Sequence, residues 1–253
     1  MKLITLHMVK ILCVTALFMG MSQTCTAQGK LVRLATIEYP PFTGQNLKNG
    51  GALAELAVAA FKLSGYSVEI TYLPWMRGLE MTKFGDYDGL MDMWYRPERE
   101  KFFIFSESTE ANQIVLFKRK DNPANFSTYE DLKRYSIGIV RGYANPPEFD
   151  AMIEQLNVEA VEGEITNIKK LLGGRVDLVL MDLKVGWYMI NTVFPEQADL
   201  LISLPKVLKN DPIYIGFSRA VPDIQTKVDA FNQGIKTLRE SGEYKSILER
   251  HNL

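Results

Sequence analysis

The sequence predicts an α/β protein in which helices cover both faces of mainly parallel sheets. Short apolar runs of strand length alternate with helical patterns along nearly the whole chain, as in sheets whose strands are joined by helices. The last long helical pattern places its apolar residues at alternating spacings of four and three, which makes one apolar face. Together these observations indicate the α/β class.

Each predicted element has a local signal. Strands are predicted where short apolar runs occur, at 31–36, 68–72, 90–93, 136–140, 158–161 and 176–180. Helices are predicted where apolar residues recur at helical spacing, at 52–63, 75–83, 147–156, 165–172 and 223–239. Glu55 lies in the first turn of its helix, where an acid complements the positive helix end, and Pro74 precedes the next helix. Gly242 ends the last long helix, and a short terminal helix follows it.

The N-terminus is typical of a secretory signal peptide. Lys2 and Lys10 precede the uncharged apolar run 11–21, and small and polar residues lead to Ala27. The apolar run is too short to span a bilayer comfortably, and a buried N-terminal helix is the alternative. We therefore expect residues 1–27 to be cleaved and the mature protein to be periplasmic. Both cysteines lie in this segment, so no thiol chemistry is expected in the mature chain.

Charge and composition exclude several classes of function. Loss of residues 1–27 removes two lysines and no acids, which changes the formal charge from −1 to −3. Scattered charges near neutrality argue against a nucleic-acid partner, which requires a concentrated basic face. The sequence has no Ser-His-Asp arrangement, no zinc-ligand spacing and no phosphate loop. We therefore expect no metal site, no cofactor and no catalytic residues.

The most informative segment is 87–106, YDGLMDMWYRPEREKFFIFS, in which a turn places Arg99 just past a buried strand. A guanidinium fork fixed at this point suits a planar carboxylate better than lysine would. The segment resembles the D-(apolar)-x-T-P-E-R-x-x-x-x-x-F-S pattern of bacterial extracytoplasmic solute-binding proteins of the amino-acid-binding family, family 3. In that family the arginine holds the carboxylate of the ligand. The resemblance implies a divergent member that captures a ligand and is not an enzyme.

The resemblance covers about residues 30–251 and implies the two-lobed periplasmic-binding-protein type II fold. Two apolar strands, one before the polar stretch 119–127 and one before Val221-Pro222, look like the two hinge crossings of that fold. Lobe 1 is therefore expected at 28–117 and 214–253, and lobe 2 at 118–213. One continuous α/β domain is the alternative. The family default is a monomer that closes on its ligand and is then offered to an ABC-type permease or a membrane sensor.

In lobe 1, three aromatic residues are candidates for contact with the ligand. Tyr39 lies in a Tyr-Pro-Pro-Phe loop similar to the family's Y-x-P-F loop, and Trp75 begins a helix that faces the cleft in the family. Core packing is the alternative for both. Small hydroxyl residues usually precede the arginine, but here Asp92 and Trp94 stand in that stretch. We therefore expect a more aromatic pocket, with a flat, aliphatic or cationic group of the ligand against Tyr39 and Trp94.

In lobe 2, the turn 138–143 resembles the family's G-(apolar)-x-x-G-[ST] turn, which presents backbone N–H groups to the ligand. Gly142 allows close approach of the backbone, whereas Tyr143 replaces the usual small hydroxyl residue.

The segment 173–182 resembles the family's G-R-(apolar)-D-(apolar)₃-x-D pattern, whose last acid holds the amino group of the ligand. Arg99 and Asp182 would then bind opposite ends of a zwitterion or a related carboxylate. The alternative for Asp182 is the N-cap of a helix at 183–191, and both roles could hold together.

Two other functions compete with transport. A ligand-sensing partner of a membrane receptor would need the same pocket and export signal. A periplasmic dehydratase of the same fold, acting on arogenate- or prephenate-like acids, would need a general acid in the cleft. Glu38, Asp92 and Glu148 are candidates for that acid, but none lies in a catalytic motif.

Overall fold

The structure is a computed structural model that describes residues 30–253, so the predicted signal peptide lies outside the described residues. The strands are β1 Lys30–Thr36, β2 Tyr66–Tyr72, β3 Gly89–Trp94, β4 Phe103–Phe105, β5 Ala111–Arg119, β6 Ser136–Val140, β7 Asn157–Val161, β8 Leu178–Asp182, β9 Leu201–Ser203 and β10 Lys209–Ser218. The α-helices are α1 Ala52–Leu63, α2 Trp75–Lys83, α3 Pro147–Met152, α4 Glu164–Leu172, α5 Leu183–Val193, α6 Ile224–Ser241 and α7 Glu243–Arg250. The predicted α/β class is confirmed.

The strands form a curled mixed sheet in the order β2-β1-β3-β10-β5-β8-β6-β7, with β4 beside β10 and β9 beside β5. Parallel pairs occupy the two ends of this order, where β1 pairs with β2 and β3, and β6 pairs with β7 and β8. Antiparallel pairs occupy the centre, around β5 and β10. The strand-helix alternation of the sequence therefore produces two parallel units joined through an antiparallel strand pair.

Strands β5 and β10 pass from one unit to the other. The first residues of β10 pair with the start of β5, from Lys209 opposite Ile114 to Pro212 opposite Ala111. The later residues of β10 pair with β3 and β4, whereas the later residues of β5 pair with β8 and β9. These strands contain the two predicted crossing segments. The lobe boundaries derived from those segments stay a prediction.

Helices α1 and α6 pack against each other and against the first unit, which contains β1, β2 and β3. Phe61, Phe217 and Phe231 form an aromatic cluster, with ring centroids 5.5 Å apart for Phe61 and Phe231. A Cβ at Gly234 would clash with the backbone of Ala60, so glycine permits this approach of the helices. The periodic apolar face predicted for α6 is thus the face it buries.

Glu55 in α1 binds the C-terminal residues Arg250 and His251 to the first unit. Burial alone would raise the pKa of this carboxyl, but hydrogen bonds from Asn49, His251 and Arg250 lower it to about 2. The His251 ring lies 2.7 Å from Glu55 Oε2. The acid predicted to complement the helix end therefore also anchors the last residues of the chain.

The structure differs from the predicted elements at a few places. The predicted helix 147–156 is α-helical only to Met152 and continues as a 3₁₀ turn, Ile153–Gln155. Strand β8 runs to Asp182, two residues beyond its predicted end, and the short strands β4 and β9 were not predicted. None of the helices within residues 30–253 has the length and apolar character required to span a membrane.

Candidate functional site

The candidate site lies where β3 and β8 end and the loops after β1 and β6 meet them. A cavity of about 30 Å³ is lined by Ile37, Tyr39, Trp75, Asp92, Trp94, Arg99, Tyr143 and Ala144. A second cavity of about 30 Å³ shares Tyr39, Trp94 and Tyr143 with the first and is also lined by Asp182 and Glu164. Six of the eight residues predicted for the site therefore line the first cavity, Asp182 lines the second, and Gly142 lies directly beside them.

Arg99 ends a 3₁₀ turn, Pro97–Arg99, in which the proline fixes the first residue. Its Nη1 donates a hydrogen bond of 2.8 Å to the carbonyl of Trp94, and its guanidinium lies 5.2 Å from the ring of Trp75. Burial, together with the nearby charge of Arg96, lowers the pKa of Arg99 to about 10. Within residues 30–253 no carboxylate forms a salt bridge with it, so the guanidinium is fixed in place and lacks an anionic partner there.

Asp92 adopts a left-handed backbone conformation, φ 57°, inside β3. Its Oδ2 accepts hydrogen bonds from the hydroxyls of Thr36 at 2.5 Å and Thr43 at 2.9 Å. Its Oδ1 is buried and has no partner in the described part of the chain. Burial raises the pKa of Asp92 to about 6, although the two threonine hydrogen bonds oppose this effect.

The aromatic residues of the site come from both ends of the sheet and contact one another. Trp75 Nε1 donates a 2.8 Å hydrogen bond to the carbonyl of Gly142, and the ring of Trp75 meets Tyr143 edge to face at 5.8 Å. Tyr39 contacts Tyr143 in the same way at 6.3 Å. Gly142 has φ +73°, and a Cβ there would clash with the Met76 side chain, so glycine permits close packing against α2. The approach predicted between the Gly142 backbone and the ligand stays a prediction.

Asn112 in β5 connects the rings of Trp94 and Tyr39, and it was not among the residues predicted for the site. Trp94 Nε1 donates to Asn112 Oδ1 at 2.8 Å, and Asn112 Nδ2 donates to the hydroxyl of Tyr39 at 3.3 Å. The side chain is fully buried. No motif marks this residue, and Gln113 beside it in β5 is polar as well, so the sequence does not distinguish Asn112.

Asp182 is the N-cap of α5. Its Oδ1 accepts from the backbone N–H of Val185 at 2.9 Å, and its Oδ2 accepts from the backbone N–H of Gln113 at 2.9 Å. The side chain is buried, and burial raises the pKa of Asp182 although these hydrogen bonds act in the opposite direction. The capping role is therefore present, and the predicted contact with an amino group stays a prediction.

Glu164, the first residue of α4, was also not among the residues predicted for the site. It is only 6% exposed, and its Oε1 has no hydrogen-bond partner among residues 30–253. Burial raises the pKa of Glu164 to about 7, against a hydrogen bond with the hydroxyl of Tyr143. An acid in a first helical turn is usually solvated, so only the fold reveals that this one faces the site.

Arg96 connects the two sides of the cleft. Its Nη2 donates to the carbonyl of Asn145 and lies 3.1 Å from Oδ2 of Asp150. The other carboxylate oxygen of Asp150, Oδ1, accepts from Asn145 Nδ2 at 2.7 Å. The Arg96 side chain is 14% exposed. Arg96 follows β3, whereas Asn145 and Asp150 follow β6, so this contact requires the two units to be close together.

Comparison with known proteins gives the family of this fold and site. The model of the bacterial extracellular solute-binding proteins, family 3, matches residues 32–253. A probable histidine-binding protein from Neisseria gonorrhoeae is 26% identical over 232 residues, which cover 88% of this chain and 83% of that protein. An arginine-binding periplasmic protein from Mannheimia haemolytica is 23% identical over 231 residues, which cover 89% of this chain and 92% of that protein.

Solved structures with this fold have several different functions. A mutant of ArgBP from T. maritima has a TM-score of 0.74 at 20% identity, covering 87% of this chain and 94% of its own. A histidine kinase sensor domain with similarity to periplasmic binding proteins has a TM-score of 0.77 at 19% identity, covering 88% and 96%. The ancestral amino acid-binding protein AncCDT-1, a precursor of cyclohexadienyl dehydratase, has a TM-score of 0.71 at 21% identity, covering 87% and 94%. These identities support the fold alone. Because the family model matches far more than half of the chain, this protein belongs to the bacterial extracellular solute-binding proteins, family 3.

Proposed function

We propose that this protein captures a small, carboxylate-bearing, amino-acid-like ligand in the periplasm and closes on it by hinge motion, for delivery to an ABC-type transporter. The observation that carries this proposal is Arg99. Its guanidinium lines a cavity with aromatic walls, and no carboxylate of residues 30–253 pairs with it. A buried cation without an anion is costly, so an anionic ligand would be stabilised there.

The geometry of Arg99 favours a carboxylate over other anions of similar size. One donor is used on the Trp94 carbonyl, which fixes the plane of the fork, and the ring of Trp75 supports it from one side. The remaining donors of the fork suit the two oxygens of a planar carboxylate. Such pre-orientation reduces the ordering entropy that binding would otherwise lose.

An ammonium group of the ligand has two acceptors nearby. Asp182, predicted for this role, already accepts two backbone hydrogen bonds, but a carboxylate has further lone pairs available. Asp92 has a buried Oδ1 without a partner and lines the same cavity as Arg99. A zwitterion would pair its carboxylate with Arg99, and its single ammonium group could donate hydrogen bonds to both acids.

The size of the cavities supports the proposed hinge motion. Each cavity has about 30 Å³, which holds a few water molecules and no amino acid. A ligand therefore enters only after the contacts that join the two sides separate, namely Trp75 with Gly142 and Arg96 with Asp150. Closure is then driven by the contacts that the ligand makes with both sides.

The test is a ligand screen of the wild-type protein and of two Arg99 variants. The full-length gene is expressed, the protein is purified from the periplasm, and thermal shift is measured with amino acids, amines, organic acids and peptides. For each ligand that binds, Arg99→Ala should lower the affinity at least tenfold while circular dichroism shows an intact fold. Arg99→Lys keeps the positive charge and loses the planar fork of donors. Its affinity should lie between those of the wild type and Arg99→Ala. Unchanged affinity in Arg99→Ala would refute the proposal.

A dehydratase is a second candidate, and Glu164 is the observation that favours it. A buried carboxyl whose pKa is about 7 is partly protonated at neutral pH, as a general acid requires. Turnover of prephenate or arogenate by the purified protein would support this candidate over the binding function. A sensor role is distinguished by the genes beside this one: permease and ATPase genes indicate transport, and a receptor kinase or cyclase gene indicates sensing.

A further inference from the structure

We propose that the ligand carries a positive group on its side chain and that Glu164 is the residue that binds this group. The inference rests on the proposed function, because it concerns the chemistry of the same cleft. It assigns a ligand class, amino acids with an ammonium or guanidinium side chain, and a specificity residue that no sequence motif indicated.

The first observation is the position of Glu164. The residue lines the second small cavity and also a wider groove beside it, so its side chain lies between the two spaces. Only 6% of its surface is exposed, and its Oε1 has no hydrogen-bond partner within residues 30–253. A buried polar atom without a hydrogen-bond partner destabilises a protein, so a donor supplied by a ligand would remove this cost.

The second observation is the charge of the groove. Its volume is about 360 Å³, and it runs between residues 37–45 and 72–75 on one side and residues 162–166 on the other. The charged residues that line it are Glu38, Glu162 and Glu164, and no lysine or arginine of residues 30–253 lines it.

Two of these three acids have side-chain partners within residues 30–253. Glu162 is paired with Arg141 at 2.9 Å, and Glu38 accepts from Gln45 at 2.9 Å. Glu164 is therefore the acid of the groove that is left with an unpaired buried oxygen. The rings of Tyr72, Trp75 and Tyr143 form further walls, and such faces attract cations.

The third observation is the path from Arg99 to this groove. Ile37, Trp75 and Tyr143 line both the Arg99 cavity and the groove. The cavities near Arg99 are small, so the long part of a ligand finds its room in the groove. A ligand whose carboxylate meets Arg99 would therefore extend past Trp75 and Tyr143 and present the end of its side chain near Glu164.

The test compares arginine with citrulline, which has nearly the same shape and a neutral side chain. The full-length gene product from the periplasm is titrated with each by isothermal calorimetry. Arginine should bind at least tenfold more tightly than citrulline. Glu164→Gln, which keeps the shape of the side chain, should lower arginine affinity at least tenfold and change citrulline affinity less than threefold. Glu159→Gln is the matched control, since Glu159 is an acid of β7 that pairs with Lys170 and lines neither the groove nor the two cavities, and it should change both affinities less than threefold.

A second readout separates binding by Glu164 from a merely structural role. The titratable groups that act on Glu164 are Tyr143, Asp182 and Tyr39, and both tyrosines remain neutral at pH 7. Glu38 and Glu162 line the same groove. Arginine binding at this pH should release part of a proton from Glu164, because a bound cation favours the ionised carboxylate. Titrations in two buffers of different ionisation enthalpy measure this release, and Glu164→Gln should reduce it.

The outcomes distinguish the inference from the proposed function. Citrulline affinity equal to that of arginine, in the wild-type protein, would overturn the inference and leave the proposed function standing. Absence of binding by every carboxylate-bearing compound in the screen would overturn both. The wild-type comparison does not depend on how well any variant folds.

Discussion

Replacement of Arg96 with methionine should weaken ligand binding without changing any residue that lines the Arg99 cavity. The guanidinium of Arg96 donates to the carbonyl of Asn145 and pairs with Asp150 at 3.1 Å across the cleft. Methionine keeps the apolar stem and removes both contacts. They exist only when the two sides are close, so the substitution acts on the closed form.

The size of the effect follows from the exposure of the two contacts. A hydrogen bond from a charged donor contributes roughly 1.5–3 kcal/mol, and the donor is only 14% exposed. The carboxylate of Asp150 is 39% exposed, so its ion pair adds at most about 0.5 kcal/mol after solvent screening. A total of about 2–3 kcal/mol corresponds to an affinity reduced about 30- to 150-fold, provided that closing accompanies binding.

Isothermal calorimetry with a ligand from the screen measures this change, and small-angle X-ray scattering should show a more open ligand-free variant. Asp150→Asn is the matched control, since the carbonyl of Asn145 still accepts from Arg96 in this variant. It should lower affinity less than about fivefold. If Arg96→Met binds within twofold of the wild type, the contact across the cleft does not stabilise the closed form and the reasoning is wrong.

Two further predictions concern stability. Asp182→Ala should lower the free energy of unfolding by about 1–3 kcal/mol, because the amides of Val185 and Gln113 lose their acceptor; an unchanged urea midpoint would contradict this. In the folded protein the pKa of Glu55 is lowered from its ordinary value of 4.5 to about 2. The ionised carboxylate therefore stabilises the fold fully above about pH 4.5, and this contribution is lost as the pH falls towards 2. Glu55→Gln should therefore be less stable than the wild type in denaturation at pH 7 and nearly equal to it at pH 2, and equal stability at pH 7 would exclude this role.

The sequence predicted those elements whose signals are local. Helix α2 begins at Trp75 as predicted, because Pro74 precedes it, and α6 buries the face that its periodicity indicated. The short strands β4 and β9 escaped prediction, since each is three residues long and is defined by pairing with a distant strand. Local patterns carry no information about such pairing.

Prediction of the site was limited in the same way. Tyr39, Trp94 and Arg99 line one cavity, and motif order alone had suggested that they belong to the site. Asn112 and Glu164 were missed, because an asparagine in a strand and a glutamate at a helix start are ordinary surface residues in most sequences. Their importance depends on burial against Tyr39 and Tyr143, which only the assembled fold provides.

The placement of the tryptophans gives this protein an internal optical reporter. The chain has three tryptophans, of which Trp75 and Trp94 line the candidate cleft. Trp187 packs against Phe117 at 5.5 Å, away from the residues that line the Arg99 cavity. Opening would break the hydrogen bond from Trp75 to Gly142 and admit water to its indole, while the surroundings of Trp187 stay constant. Intrinsic fluorescence could therefore follow closure in unlabelled protein, with Trp187 as a steady background emission.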